Sequence, residues 1–249
     1  MAAPTVLTCP NHDARPAGLP IDMLVLHYTG MPNGAAAMTR LRDASAKVSA
    51  HYLIEEDGRA FQLVPEERRA WHAGAAYWRG HREINGRSIG IELVNPGHEY
   101  GYRAFPKAQM SSLESLAKAI VKRRRIPARN VVGHSDVAPE RKEDPGEKFD
   151  WERLAAAGVG LWPKIRRRWF GGRNFDTFEF GPDDRDPKIA ATQKQLVAFG
   201  YEVPTNGVLD AKTSRVLVAF QRHFRPSNFD GRLDGETASR LASLIDQAG

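Results

Sequence analysis

The sequence predicts an α/β fold, with a mixed β-sheet flanked by helices, followed by a small C-terminal three-helix unit. Between residues 20 and 163, short apolar runs typical of buried strands alternate with amphipathic stretches at helical spacing. Two of these runs flank Asp57-Gly58, a strong signal for an antiparallel hairpin, so the sheet should be mixed. From residue 187 onward only helical periodicity remains.

The individual elements follow from apolar runs and from apolar spacings of three and four. We expect strands at 23–28, 51–54, 60–64, 88–94 and 130–133, and helices at 35–42, 106–125 and 150–157. The clearest helix is 106–125, which Pro127 is predicted to stop. The Pro-rich residues 1–20 are expected to run over the surface.

The C-terminal part of the chain differs from the first part in its charge pattern and in its purely helical periodicity. We predict a first domain at 1–163, a linker at 164–186 and a helical domain at 187–249, with helices near 187–199, 211–224 and 235–247. Arg166–Arg168 and Asp183–Asp186 give the linker a basic and an acidic run. A short internal sequence repeat places Asp210 and Asp234 where each can cap the following helix. The tail is expected to be removable without loss of the chemistry.

Composition and charge narrow the classes of function. The 249 residues are 41% hydrophobic and 27% charged, which suits a domain with a buried core. A net charge of +6 fits an anionic partner such as nucleic acid, a membrane surface or an acidic polymer. The single cysteine, Cys9, excludes an intrachain disulfide and a zinc site built from thiolates. No stretch approaches the ~18 apolar residues of a membrane helix.

Two predicted strands end in histidine, and one is followed by a carboxylate. His27 ends the run 23–28, His134 ends the run 130–133, and Asp144 lies ten residues further on. Two imidazoles and one carboxylate suit a catalytic zinc, which takes three protein ligands and a water. The alternative is that both histidines are ordinary core residues and Asp144 caps a turn. His51 and His72 are rival ligands that spacing does not rank.

Two further residues suit catalysis beside such a metal. Glu92 is an acid inside an apolar strand, where burial would raise its pKa and suit it to proton transfer. Lys142 stands two residues before Asp144, so both side chains would point the same way in an extended segment. Its ammonium could then stabilise an oxyanion. The alternatives are a solvent-facing glutamate on an edge strand and an exposed lysine in a charged loop.

Six motifs occur in one order along residues 20–163. They are His27-Tyr28-Thr29, Ser49-Ala50-His51-Tyr52-Leu53-Ile54, Trp71-His72-Ala73-Gly74, Ser88-Ile89-Gly90-Ile91-Glu92, Gly133-His134-Ser135-Asp136-Val137-Ala138-Pro139 and Lys142-Glu143-Asp144-Pro145-Gly146. As a set they resemble the zinc-dependent N-acetylmuramoyl-L-alanine amidases of the AmpD/AmiD type. The resemblance implies a groove over a zinc ion and cleavage of the amide between N-acetylmuramic acid and L-alanine, in peptidoglycan or its muropeptide fragments.

The resemblance also implies roles for individual residues. It assigns His27, His134 and Asp144 as zinc ligands, with Glu92 and Lys142 as catalytic groups. The expected substrate contacts are Tyr28, His51, Trp71 and His72. A monomer is expected.

The tail resembles a three-helix peptidoglycan-binding domain, and its alternative is a helical packing appendage. Two other functions stay open: a peptidoglycan receptor without activity, against which the filled ligand positions argue, and a nucleic-acid binder, for which no motif is present. Two compartments also stay open. Residues 1–10 lack a secretory signal, which favours the cytoplasm, whereas the tail favours the cell envelope.

Overall fold

The computed structural model describes residues 3–165 and 175–248. The strands in these ranges are β1 Thr5–Val6, β2 His12–Ala14, β3 Met23–Tyr28, β4 Tyr52–Ile54, β5 Ala60–Gln62, β6 Arg68–Ala70, β7 Ser88–Leu93, β8 Val131–Gly133, β9 Glu179–Phe180 and β10 Leu233–Asp234. The helices are α1 Gly34–Arg42, α2 Ile84–Arg87, α3 Gly97–Tyr100, α4 Lys107–Arg124, α5 His134–Val137, α6 Trp151–Ala156, α7 Pro187–Phe199, α8 Ala211–Phe224 and α9 Gly235–Ala248. No helix in the described ranges is both long enough and apolar enough to cross a bilayer.

A six-stranded sheet in the order β1-β5-β4-β7-β3-β8 forms the centre of the fold. Strands β4, β7, β3 and β8 run parallel, and β4 pairs antiparallel with β5 through the predicted hairpin. The predicted mixed sheet flanked by helices is therefore confirmed. In the register, His27 lies opposite Glu92, and Leu26 opposite Gly133, the residue before His134. The parallel strands thus deliver these three polar side chains to one edge of the sheet.

Strand β3 is buried on both faces, which explains its continuous apolar sequence. Alternate residues point to opposite faces. Leu24 and Leu26 belong to a core shared with α4, whereas Met23 and Val25 belong to a cluster that also holds tail residues. The tail residues of that cluster include Ile189, Leu196, Phe199, Phe220 and Leu244. The tail helices therefore cover the second face of the sheet, a packing that the sequence did not indicate.

The N-terminal segment is more ordered than the sequence predicts. Strand β1 pairs in parallel with β5, and β2 pairs antiparallel with β6. Cys9 and Asn11 are buried, and the Asn11 side-chain amide donates to the carbonyls of Asp43 and Val48 at 2.8 and 2.9 Å. As expected, most of this segment lies at the surface, but its two short strands were not predicted because they pair with partners distant in sequence.

The end of α4 and the segment after β8 differ from the prediction. Arg125 takes a left-handed conformation with φ 54° and ends α4, one residue before Ile126 and two before the expected stop at Pro127. The segment from His134, for which no helix was predicted, forms the helical turn α5. Asp136 stabilises that turn because its carboxylate accepts from the Gly133 backbone N–H at 2.7 Å.

The internal sequence repeat of the tail is also a structural repeat. Asp210 accepts from the Thr213 N–H at 2.7 Å, and Asp234 accepts from the Thr237 N–H at 2.8 Å, so both predicted caps are confirmed. A glutamine on the helix that precedes each cap makes the same contact in both repeats. Gln193 on α7 and Gln221 on α8 each accept from a glycine N–H at 2.8 Å. After α7, the tail therefore contains two related turn-and-helix units that end in α8 and α9.

The predicted linker is only partly described. Its basic run, Arg166–Arg168, lies outside the described residues. Glu179–Phe180, near its end, forms β9 and pairs with β10 of the tail. The domain boundaries at 163 and 187 stay predictions.

Candidate metal centre and active site

Three ligand atoms meet at the edge of the sheet. The Nδ1 atoms of His27 and His134 lie 3.0 Å apart, and Asp144 Oδ2 lies 3.0 and 3.1 Å from them. All three residues are buried. Atoms at this spacing can share one ion with bonds of about 2.0–2.2 Å, the range for zinc with imidazole and carboxylate ligands. The sequence-predicted ligands are thus brought together as a candidate metal site.

A hydrogen-bond relay sets the tautomer of His27. The Ser88 hydroxyl donates to the Ile84 carbonyl at 2.7 Å, so its oxygen can accept from His72 Nε2, 3.1 Å away. His72 Nδ1 is then free to accept from His27 Nε2 at 3.0 Å. The proton of His27 is thereby held on Nε2, and the Nδ1 lone pair faces the other two ligand atoms. His72, a rival ligand by spacing, lies behind His27 in this relay.

The second histidine is oriented by the backbone. His134 Nε2 donates to the Ala73 carbonyl at 3.1 Å, which leaves its Nδ1 lone pair for the metal site. Such outer partners are typical of metal-ligating histidines because they fix the ring and raise its basicity. The donor set therefore fits a cation bound by two neutral imidazoles and one carboxylate.

Charge states in the site agree with this arrangement. Burial, then the neighbouring His134, lowers the pKa of His27 to about 4. Burial also lowers the pKa of His72, followed by the effects of His27 and His51. Burial alone would raise the pKa of Asp144, but the two histidines hold it well below its usual range. At neutral pH His27 and Asp144 are therefore in the deprotonated forms that a metal requires.

Glu92 lies beside the three ligands on the neighbouring strand. Burial raises the pKa of its carboxyl well above the usual value, nearby Asp144 raises it further, and Lys142 opposes both effects. Its Oε2 atom is buried and has no hydrogen-bond partner among the described residues. A carboxyl held without a partner next to a metal site is available for proton transfer.

A cleft of about 660 Å³ opens over these residues. Of the residues predicted from sequence, its walls contain His27, Tyr28, Trp71, His72, Glu92, His134, Lys142 and Asp144. They also contain Arg40, Glu99, Tyr100 and Arg141, which sequence reasoning did not single out. The Lys142 side chain is exposed at this wall.

His51 does not line the cleft. It is 0% exposed, its Nδ1 accepts from the Gly90 N–H at 3.0 Å, and its Nε2 lies 3.1 Å from the Arg68 carbonyl. From within the core, the His51 ring therefore links β7 to β6 through these two contacts. We therefore leave His51 out of the substrate contacts, although the sequence placed it among them.

Two residues that the sequence analysis passed over support the site. Arg141 Nε donates to the Ala75 carbonyl at 2.9 Å, and Nη2 donates to Ala73, the same carbonyl that orients His134. Gly90 makes room for His72, because a Cβ on residue 90 would lie 2.5 Å from the His72 ring. The available signal for Gly90 was its position inside the motif that ends in Glu92.

The buried His51 predicts a specific pH dependence of stability. Burial, then Arg15, lowers its folded-state pKa to about 3, against about 6.5 when unfolded. Between these values the unfolded chain binds more protons, so the stabilisation is complete above pH 6.5 and is lost as the pH falls towards 3. Urea unfolding at pH 7.5 and pH 5 should show a smaller loss of stability in His51→Gln than in the unsubstituted chain. Equal losses in the two proteins would contradict this prediction.

The sheet, the cleft and the ligand triangle lie beside Glu92, whose Oε2 has no partner within residues 3–165 and 175–248. Together they define the class: a hydrolase with a candidate metal centre. The match to known families narrows that class, because the N-acetylmuramoyl-L-alanine amidase family model matches residues 17–147. A second model, described as a peptidoglycan binding domain, matches residues 185–241. The chain belongs to the N-acetylmuramoyl-L-alanine amidase family. It is an enzyme that hydrolyses the amide bond between N-acetylmuramic acid and L-alanine, and it acts in cell-wall metabolism.

Relatives of known name match most of the chain. It is 38% identical over 242 residues to the N-acetylmuramoyl-L-alanine amidase AmiD of Escherichia coli, covering 92% of this chain and 84% of that protein. It is 37% identical to the 1,6-anhydro-N-acetylmuramyl-L-alanine amidase AmpD of Citrobacter freundii, covering 59% of this chain and 86% of that one.

Solved structures match both parts of the chain. The complex of Escherichia coli AmiD with anhydro-N-acetylmuramic acid-L-Ala-D-gamma-Glu-L-Lys matches with a TM-score of 0.77 at 37% identity, over 93% of this chain and 91% of that one. AmpDh3 from Pseudomonas aeruginosa matches with a TM-score of 0.74 at 34% identity, over 93% and 94%. The predicted fold class and family are thereby confirmed.

Proposed function

We propose that the chain is a zinc-dependent N-acetylmuramoyl-L-alanine amidase in which His27, His134 and Asp144 hold the zinc. The observation that carries this proposal is the triangle of Nδ1, Nδ1 and Oδ2 atoms at 3.0–3.1 Å beside Glu92, whose Oε2 has no partner in the described part of the chain. Two nitrogen ligands favour zinc over calcium and magnesium, which prefer oxygen. Bound zinc supplies Lewis acidity, which lowers the pKa of water to near ~7 and polarises a carbonyl.

Glu92 is proposed as the proton carrier. Water adds to the lactyl carbonyl carbon, and the C–N bond to L-alanine breaks. The proton released by the water must reach the departing nitrogen. Glu92 Oε2 has no partner among the described residues and lies beside the ligands, so it can accept this proton and donate it to nitrogen. A bound cation would also oppose the burial that keeps the carboxyl protonated, and so favour the base form.

Lys142 is proposed to stabilise the oxyanion. Its exposed side chain lines the cleft, and its backbone N–H donates to the Ala138 carbonyl at 3.0 Å, which fixes the start of the loop to Asp144. The negative charge on the carbonyl oxygen develops only as the water adds. An ammonium at this wall is therefore stabilising mainly in the transition state.

The substrate is proposed to be a muropeptide, with the sugar and stem peptide lying in the cleft. The cleft volume of about 660 Å³ exceeds what a single amide requires. The related AmiD structure contains an anhydromuramyl tripeptide in a chain with the same overall fold. Tyr28, Trp71 and His72 line the same cleft and stay our predicted substrate contacts.

The tail is proposed to bind peptidoglycan and to raise the local substrate concentration at the wall. Intact wall would place the enzyme in the envelope, whereas released fragments would suit the cytoplasm. A monomer remains the expected state, and no nucleic-acid partner is proposed.

One assay tests the reaction and ranks the substrates. The full chain is incubated with purified sacculi and, separately, with soluble anhydromuropeptides, and the new primary amine of L-alanine is counted. We expect amine release that chelator abolishes and zinc restores, and the faster substrate indicates the compartment. Binding to sacculi without amine release would instead support the alternative of an inactive receptor.

A further inference from the structure

The tail is joined to the metal-ligand segment through one buried carboxylate. Asp136 is 1% exposed and is the third residue of α5, which begins with His134. Its Oδ1 accepts from the Tyr201 hydroxyl at 2.6 Å, and its Oδ2 accepts from His223 Nδ1 at 2.7 Å. Both donors belong to the tail, so the tail satisfies a carboxylate that lies within the amidase unit.

The same carboxylate fixes the backbone that presents the ligands. Asp136 Oδ2 also accepts from the N–H of Gly133, the residue before His134. Within α5, the N–H of Ser135 donates to the Asp144 carbonyl at 2.9 Å. The position of α5 therefore decides where both His134 and Asp144 lie, and Asp136 holds α5 at its centre.

The segment around Gly133 has little room to adjust. A Cβ on Gly133 would lie 2.8 Å from Pro145 Cδ and 3.3 Å from the Trp151 ring. Displacement of α5 would therefore meet the loop that contains Asp144. Small movements of Asp136 are transmitted to the ligands rather than absorbed between them.

The two tail donors are themselves firmly held. Tyr201 follows α7, is 1% exposed and packs edge-on against Trp78 with ring centroids 5.0 Å apart. His223 on α8 is stacked between Trp151 and Phe224, at centroid distances of 3.6 and 3.7 Å. A rigid pair of donors against a buried acceptor gives α5 one preferred position.

We propose that Tyr201 and His223 are positioning residues for the metal centre, so that the tail sets the zinc affinity of the amidase unit through Asp136. This inference rests on the proposed zinc site. It gives the tail a second role besides wall binding and replaces the expectation that the tail can be removed without loss of the chemistry. A purely structural contact would stabilise the fold and leave the metal affinity unchanged.

The test compares two tyrosine variants of the full chain. Tyr201→Phe removes the hydroxyl that donates to Asp136. Tyr52→Phe is the matched control, because the Tyr52 hydroxyl donates to the buried Glu66 carboxylate at 2.9 Å from the core shared with α4. Zinc dissociation constants are measured by competition with a chromogenic chelator. Outer-shell substitutions typically weaken metal affinity about 10–100-fold, so we expect about tenfold weaker binding in Tyr201→Phe and no change in Tyr52→Phe.

A second pair of variants separates the hydrogen bond from the packing. His223→Asn keeps an N–H donor at the position of Nδ1, whereas His223→Leu keeps bulk without a donor. Zinc affinity and the visible spectrum of the Co²⁺-substituted protein should be near normal in His223→Asn and altered in His223→Leu.

The outcomes distinguish this inference from the proposed function. If the unsubstituted chain binds no zinc, the zinc mechanism fails and the inference fails with it. If the unsubstituted chain binds zinc, and Tyr201→Phe and His223→Leu bind it equally well, the inference alone is overturned.

Discussion

Replacing Asp144 with alanine should remove the zinc and abolish amide hydrolysis. Asp144 supplies the only anionic ligand of the triangle, and the two histidines alone would leave an uncompensated cation in a buried site. The loss of affinity should exceed the about 10–100-fold that outer-shell substitutions cost. Zinc is counted by elemental analysis of the purified protein, and amine release from anhydromuropeptide is measured on the same sample.

Asp150→Ala is the matched control for that substitution. Asp150 is exposed and caps α6 by accepting from the Arg153 N–H at 3.0 Å. Its loss should cost about 1 kcal/mol of stability and leave zinc and activity intact. One zinc per chain in Asp144→Ala would show that this carboxylate is not a ligand.

Replacing Glu92 with glutamine should abolish most of the turnover while the zinc stays bound. The amide keeps the shape of the side chain but cannot carry the proton from water to nitrogen, and loss of a general acid–base typically costs ~10²–10⁴ in rate. Single-turnover kinetics with metal content checked on the same sample measures the effect. Glu56→Gln, which alters an exposed ion pair with Arg103, is the matched control.

The partner substitution Lys142→Ala should also keep the zinc and lose turnover, by ~10²–10³ for one oxyanion donor. Both effects should lie in kcat more than in KM, because both groups act mainly in the transition state. Lys148→Ala, which removes a contact with the Tyr102 carbonyl, is the control. Near-normal turnover in Glu92→Gln would remove Glu92 from the mechanism, and His72 would become the next candidate for proton transfer.

The strands that lead to the site and the helices of the tail were predictable because their signals are local, whereas the short helix α5 at His134 was not predicted. The apolar run 23–28 coincides with β3, and the predicted helices of the tail match α7 and α8 residue for residue. His27, His134 and Asp144 were predicted as a set, and the structure brings them within hydrogen-bond distance of one another. Their roles as zinc ligands remain predictions.

Features that depend on distant partners could not be predicted. Spacing did not rank His51 against His72. Their difference depends on Gly90, whose missing Cβ admits the His72 ring, while His51 is engaged in the core. The packing of the tail against the amidase unit could not be predicted either. In the sequence Tyr201 and His223 resemble ordinary residues of a helical core, and only the structure shows that both donate to Asp136.

The central claim is that one zinc, held by the predicted triangle, is required for amide cleavage. The most direct measurement removes metal from the full chain and adds zinc back stepwise while amine release from anhydromuropeptide is followed. Activity should be absent at the start, rise in proportion to added zinc and level off at about one equivalent per chain. Full activity in the metal-free protein would contradict the account.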